Sequence, residues 1–280
     1  MMQVQWYPGH MTKARRMMQE DMKLIDLVIE LLDARIPRSS RNPDIDELAK
    51  GKSRLVLLNK ADLADSRAND DWKKYFEDNG IIALPIDSKN RNGFASINKS
   101  IEEACKAKIE KDRKKGIIGR PVRAMVAGIP NVGKSTFINS LTKKASTKTG
   151  NKPGVTKGKQ WIRLDKNVEL LDTPGILWPK FDDEATGLNI AFIGSINDEI
   201  LDPAELSLKL IDILKSRYPG TLYSRFETDE GEEAAVILEN IALKRGCLKK
   251  GSSVDYDKAA RIVLDEFRSG KLGRITLENP

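Results

Sequence analysis

The chain has 280 residues, 40% of them hydrophobic and 32% charged, which suits two domains with real cores better than one. No run approaches the roughly 18 uncharged apolar residues of a membrane span, since the best, Leu24–Leu32, is broken by Asp26 and Glu30; two cysteines, Cys105 and Cys247, exclude a disulfide framework, and one histidine, His10, all but excludes zinc and Ser-His-Asp chemistry. The formal charge is +7, yet Lys106–Arg163 alone holds 16 basic and two acidic side chains, a net +14 that favours a phosphate-rich partner, whether nucleotide, RNA or both, although Lys106–Lys115 also fits a solvated linker.

Residues 1–20 form an N-terminal segment without a secretory apolar core, consistent with a cytoplasmic start. Its Trp6-Tyr7-Pro8-Gly9 cluster suits packing, and a helix over Thr12–Met22 presents Lys13, Arg15 and Arg16. Buried strands are expected at Leu24–Leu32, Arg54–Leu58, Ile81–Ile86 and Val122–Ala127, with a short hairpin pair at Ile162–Leu164 and Val168–Leu171. Helices are expected between them at Asp44–Lys50, Ser66–Asn79, Phe94–Lys111 and Gly133–Thr142. This alternation predicts an α/β domain with a mostly parallel sheet over residues 1–178. Beyond about Lys180 strand signals vanish, and helical periodicity at Pro203–Lys215, Gly231–Leu243 and Tyr256–Phe267 predicts an all-α domain over 179–280.

Gly128-Ile129-Pro130-Asn131-Val132-Gly133-Lys134-Ser135 matches G-x-x-x-x-G-K-[ST] between a strand and a helix, the context of a P-loop. Backbone N–H groups from Asn131, Val132, Gly133, Lys134, Ser135 and Thr136 are placed to surround phosphates at a helix N-terminus. Lys134 would reach the β- and γ-phosphates and the Ser135 hydroxyl would ligate Mg²⁺. Asp172-Thr173-Pro174-Gly175 ends a strand, so Asp172 can hold Mg²⁺ through water and the Gly175 N–H can meet the γ-phosphate. Thr156, in the polar loop Lys152–Thr156, is a second Mg²⁺ candidate on a switch.

Asn59-Lys60-Ala61-Asp62 follows another strand. Asp62 can accept from N1–H and N2–H₂ of guanine, which adenine cannot donate; the Lys60 stem can lie along the base, and Asn59 can brace the loop. After the next strand, Ser88-Lys89 can offer a backbone N–H to guanine O6. With the P-loop, these loops favour GTP over ATP. Asp33-Ala34-Arg35-Ile36-Pro37 reads either as a turn with a buried salt bridge or as an effector-facing or RNA-facing loop using Arg35 and Arg38.

Base recognition here precedes phosphate recognition along the chain. In that order, and in the Asp33–Pro37 and Trp6–Met11 motifs, the sequence resembles the ribosome biogenesis GTPase A (YlqF) family of circularly permuted GTPases over essentially its whole length. The resemblance implies a P-loop GTPase domain with a helical RNA-contacting domain, GTP/GDP and Mg²⁺ as ligands, a cytoplasmic enzyme, and the large (50S) ribosomal subunit, its rRNA and proteins, as stimulating partner, with no DNA or membrane involved. It points to His10 as a group that swings to the site, and Asn131 matches the asparagine of potassium-stimulated relatives, so K⁺ is the other candidate. Ile176 stands where many GTPases carry a water-orienting glutamine, which implies slow unassisted hydrolysis. The tail, Leu201–Pro280, has 13 basic and 14 acidic residues, so its clusters at Lys244–Lys250 and at Arg268, Lys271 and Arg274 are either phosphate contacts or helix C-terminal charges. The chain leaves Gly175 directly for the helical region, so switch movement is expected to be transmitted there.

Overall fold

The computed structural model describes residues 16–142, 161–164, 166–172, 183–198 and 201–280. They fall into two compact units. One takes the described residues of Gln5–Asp62, Ser66–Lys180 and Glu278–Pro280, the other those of Leu63–Asp65 and Phe181–Leu277. No helix among the described residues is long and apolar enough to cross a membrane.

The first unit begins with helical residues 16–22 (α1). It then runs β1 (Leu27–Asp33), α2 (Asp44–Leu48), β2 (Ser53–Asn59), α3 (Ser66–Asp78) and β3 (Ile82–Pro85). After a 3₁₀ turn at Phe94–Ser96 come α4 (Ile97–Ala104), α5 (Lys106–Lys114), β4 (Val122–Ala127), α6 (Lys134–Thr142), β5 (Trp161–Arg163) and β6 (Val168–Asp172). The sheet order is β3-β2-β1-β4-β6-β5. Every neighbouring pair is parallel except β5 against β6, which makes the expected hairpin at the edge. Central strands covered on both faces need continuous apolar runs, and β1, Leu-Val-Ile-Glu-Leu-Leu-Asp, is buried throughout. Its Glu30 is tolerated because Arg41 and Arg54 both pair with it.

The expected helix Phe94–Lys111 is divided at Cys105, whose φ/ψ of −98°/7° interrupts it. Ile97, Ile101 and Cys105, four residues apart, bury one face of α4, whereas α5 has no buried residue. Packing that holds the first half does not continue into the second.

The second unit is helical: α7 (Glu184–Phe192), α8 (Pro203–Arg217), α9 (Thr221–Phe226), α10 (Ala234–Lys244) and α11 (Tyr256–Arg268). Asp183, Asp202 and Asp255 cap three of these by accepting backbone N–H bonds, and Pro203 opens α8 at its first turn. Leu210, Ile211, Leu214, Ile237, Ile241, Val263 and Phe267 form its interior. The short α7 and α9 escape the periodicity because each offers too few turns for a repeating apolar stripe. Leu63–Asp65, a turn and bend, joins the end of this unit: Leu63 accepts from the Ile275 N–H at 3.0 Å and Ala64 from Arg274 Nε at 2.9 Å.

Candidate nucleotide site

The chain winds from β1 through β2 to β3 on one side, then places β4 on the other side of β1. That reversal leaves a crevice outside the strands' carboxyl ends, where open α/β sheets bind ligands. Four sequence-selected segments converge there: Asn59–Asp62 after β2, Ser88–Lys89 beyond β3, Gly128–Ser135 after β4, and Asp172 closing β6 opposite Val126 of β4. Asp33–Pro37, after β1, stands between the first and third.

The P-loop is shaped by two glycines. A Cβ on Gly128 would lie 2.6 Å from the Leu31 carbonyl oxygen of the neighbouring β1. Gly133 has φ +98°, a region side chains rarely enter, and a Cβ there would sit 2.4 Å from Asn59 Nδ2. Asn131 adopts φ 61°, which a short amide side chain tolerates. Lys134 folds back over the loop and donates to the Gly128 carbonyl at 3.0 Å. Ser135 and Thr136 are exposed on the first turn of α6, where free backbone N–H groups and the helix dipole favour an anion.

Asn59 locks the loops together. Its buried Nδ2 donates to the Val132 carbonyl at 2.7 Å, and its Oδ1 accepts from the Ser88 N–H at 3.0 Å. Lys60, at φ 59°, donates to the Asn131 carbonyl at 2.7 Å. Beneath it the Asp33 carboxylate pairs with Lys60 at 2.9 Å and with the Arg35 guanidinium at 2.8 Å. Burial pushes the Asp33 carboxyl up, but Arg35 and then Lys60 outweigh it and hold the group well below the ordinary aspartate range. Of the two readings of Asp33–Pro37, the structure supplies the buried salt bridge: Arg35 is 1% exposed. Arg38 is exposed, and its backbone N–H donates to Glu278 Oε2 at 2.7 Å.

Asp62 lies open at the rim. Its carboxyl is pushed up, first by partial burial and then by Asp87. Asp87 is buried and accepts from the Lys89 and Asn90 N–H groups at 2.8 and 3.1 Å, forming the turn that presents Ser88 and Lys89. The Ser88 carbonyl accepts from Ser140 Oγ of α6 at 2.7 Å, and Arg91 donates to the Ser140 carbonyl. Ser140 and Arg91 therefore tie the base loop to the P-loop helix. Neither was selected from sequence, because an isolated serine and arginine carry no pattern; only α6 packing beside the loop reveals them.

His10, Thr156, Gly175 and Ile176 lie outside the described residues, as does the Asp172 side chain. Among the described residues no cluster of three or more His, Cys, Asp or Glu side chains forms a metal cage. A Mg²⁺ ion would need no such cage: a hydroxyl such as Ser135, a water-bridged carboxylate and phosphate oxygens would form the hard oxygen set it prefers. In the tail, several basic side chains are engaged within the helical unit. Arg268 pairs with Asp198 at 2.7 Å and donates to the Phe192 and Ala191 carbonyls, Arg245 pairs with Glu266, and Lys244 donates to the Glu227 carbonyl.

A P-loop at the switch point of a mostly parallel sheet, joined by one asparagine to an N-K-x-D loop and the Ser88–Lys89 loop that precede it in sequence, is the arrangement of a circularly permuted GTP-binding protein. Residues 123–240 match the family model described as "50S ribosome-binding GTPase"; the Asn59–Asp62 and Ser88–Lys89 loops lie before this span, as the permuted order requires. The chain is 48% identical over 280 residues to ribosome biogenesis GTPase A of Bacillus licheniformis, covering 100% of this chain and 99% of that one. A crystal structure of GNP-bound YlqF from T. maritima superposes with a TM-score of 0.69 at 26% identity, covering 96% of this chain and 98% of the other. A GDP-bound YlqF structure gives the same score and identity, covering 95% and 99%. The chain belongs to the ribosome biogenesis GTPase A family and is a GTP-hydrolysing enzyme.

Proposed function

We propose that this enzyme is an assembly factor for late maturation of the large (50S) ribosomal subunit, acting in the cytoplasm, with its GTPase stimulated by that subunit. The observation that supports the nucleotide part is the Asn59 bridge, which hydrogen-bonds the loop read as phosphate-binding to the loops read as base-binding. The 50S part is supported by the matching family model and by the relatives' names. In this reading Asp62 and the Ser88–Lys89 backbone select guanine, with Lys60 lying along the base. The N–H groups from Asn131 to Thr136 hold the phosphates, Lys134 neutralises charge developing between the β- and γ-phosphates, and the Gly175 N–H meets the γ-phosphate. Mg²⁺, held by Ser135 and Thr156 and through water by Asp172, would supply further charge neutralisation. His10 and a K⁺ ion beside Asn131 are the two candidates to complete the site. Residues 179–280 would form the region facing rRNA and ribosomal proteins.

GTP turnover is to be measured in K⁺ and in Na⁺ buffer, alone and with purified large or small subunits. Strong stimulation by large subunits alone is expected. Loss of rate in Na⁺ would select the cation over His10 as the completing group. Tight GTP binding without stimulation by either subunit would overturn the assembly reading in favour of a nucleotide-gated binding module, which the Ile176 position would suit.

A further inference from the structure

α5 is unusual among the helices of its unit: it has no buried residue, and its sequence is Lys-Ala-Lys-Ile-Glu-Lys-Asp-Arg-Lys. Lys108 is held inward by Asp26 and Asp112, both at 3.2 Å. Lys106, Lys111, Arg113, Lys114 and Lys115 are exposed, and none has an ion pair among the described residues. Helix stability accounts for them only in part: Lys111, Arg113 and Lys114 lie in the last turn, where the dipole favours cations. Lys106 opens a helix with no acid in its first turn, against the dipole. Lys111 sits three and four residues before Lys114 and Lys115, so like charges repel along the helix by a few tenths of a kcal/mol per pair.

Beyond α5, Gly116 and Gly119, both at positive φ, hold Ile117 and Ile118 out from the surface, Ile118 being 89% exposed. Arg120 follows, exposed and 3.4 Å from Asp26. Between α5 and this loop lies a cavity of about 440 Å³, reaching Val122 and Val168 at the starts of β4 and β6. These strand starts are the edge of the sheet opposite the nucleotide crevice.

We infer that the outer face of α5, continued by Arg120, is a docking surface for the phosphodiester backbone of RNA, separate from the nucleotide site. The inference rests on the ribosomal reading above for its partner and on charge complementarity for its place. A row of unpaired cations on one helix neutralises successive phosphates and releases their counterions, and the exposed isoleucines beside the cavity offer an apolar seat for an unstacked base. A membrane surface fits less well: an interfacial helix needs an apolar face, and Ala107 and Ile109 are the only apolar residues of α5. Because the surface lies at the far edge of the sheet, RNA and nucleotide can be held together.

The test compares the full chain with a variant combining Lys111→Ala, Arg113→Ala, Lys114→Ala and Lys115→Ala, and with one carrying Lys111→Arg, Lys114→Arg and Lys115→Arg. Binding of a fluorescein-labelled RNA stem-loop is followed by anisotropy across a KCl series. GDP affinity and thermal melting are recorded for each protein. The alanine variant should bind RNA at least about tenfold more weakly at low salt, and its log–log salt slope should be shallower by about 0.7–0.9 for each phosphate that is no longer neutralised. The arginine variant should bind as the parent does, and GDP affinity and melting should be unchanged in both. RNA binding by the alanine variant with the parent's affinity and slope would overturn the inference. So would a parent that ignores RNA but binds vesicles containing phosphatidylserine. Turnover with large subunits in the same preparation separates the readings: a stimulated parent alongside an alanine variant of normal RNA affinity removes only the α5 surface, whereas an unstimulated parent removes the assembly role itself.

Discussion

The Asn59 side chain donates to the Val132 carbonyl at 2.7 Å across 73 positions of chain. The same amide accepts from Ser88, so one buried side chain aligns three loops of the nucleotide site. Asn59→Ala leaves a buried carbonyl and a buried N–H unpaired, at about 1–3 kcal/mol each. GTP and GDP affinity should both fall by tenfold or more, with a lower melting temperature. Asn59→Asp keeps the acceptor but sets a carboxylate against the Val132 carbonyl and should bind no better than Asn59→Ala. Titration with a fluorescent GDP analogue measures both.

Gly133→Ala meets two obstacles at once, the +98° φ and the Asn59 amide 2.4 Å away. A strained left-handed residue costs about 1–3 kcal/mol, and displacement of Asn59 adds to it. Loss of nucleotide binding is expected while circular dichroism shows the helices intact. Unimpaired GDP binding would mean that the loop relaxes freely.

Asp33 is the charge on which Arg35 and Lys60 depend. Asp33→Asn leaves a buried guanidinium without its counter-charge, a change on the order of 3–5 kcal/mol, readable in urea unfolding. The pH dependence follows from the depressed carboxyl. Stability from the ionised group is present in full above the unfolded-state value near 3.9 and is lost as pH falls below it toward the lower folded-state value. The parent should therefore lose stability between about pH 5 and 2, and Asp33→Asn should lose less over that interval.

Asp62 carries the opposite shift, raised by partial burial and Asp87. If Asp62 reads guanine as proposed, only its ionised form would accept both N–H bonds, so GTP affinity should decline on acidification at a pH above the ordinary aspartate range. Without nucleotide, the raised value means this group's contribution to stability is greatest when protonated and is lost as pH rises through the folded-state value. Asp62→Ala should erase most of the preference for GTP over ATP, each charged hydrogen bond being worth about 1.5–3 kcal/mol. Competition between the two nucleotides for one fluorescent analogue tests this.

Ser135→Ala removes a hydroxyl at the first turn of α6 but no backbone N–H. GTP affinity in Mg²⁺ should drop about tenfold or more, whereas in EDTA parent and variant should bind alike. A loss that persisted without Mg²⁺ would point to a disturbed P-loop.

The local grammar of this chain was readable in order. G-x-x-x-x-G-K-S, N-K-x-D and D-x-x-G each specify backbone geometry or a single chemical role within a few residues, and the strand–helix alternation implied the sheet that carries them. Apolar runs located β1, β2 and β4 to within three residues at each end, because strands buried on both faces permit little else. What tertiary structure decided were relations between residues far apart in sequence. Arg35 could have faced a partner or the interior; Asp33 and Lys60 packed beneath the P-loop place it inside. Ser140 and Arg91 join the base loop because α6 lies beside it, and Arg268 is engaged by Asp198, 70 residues away. Periodicity records which face of an element is apolar, but a polar side chain's partner depends on which element arrives opposite it. That choice belongs to packing of the whole chain, and there the sequence read alone leaves alternatives open.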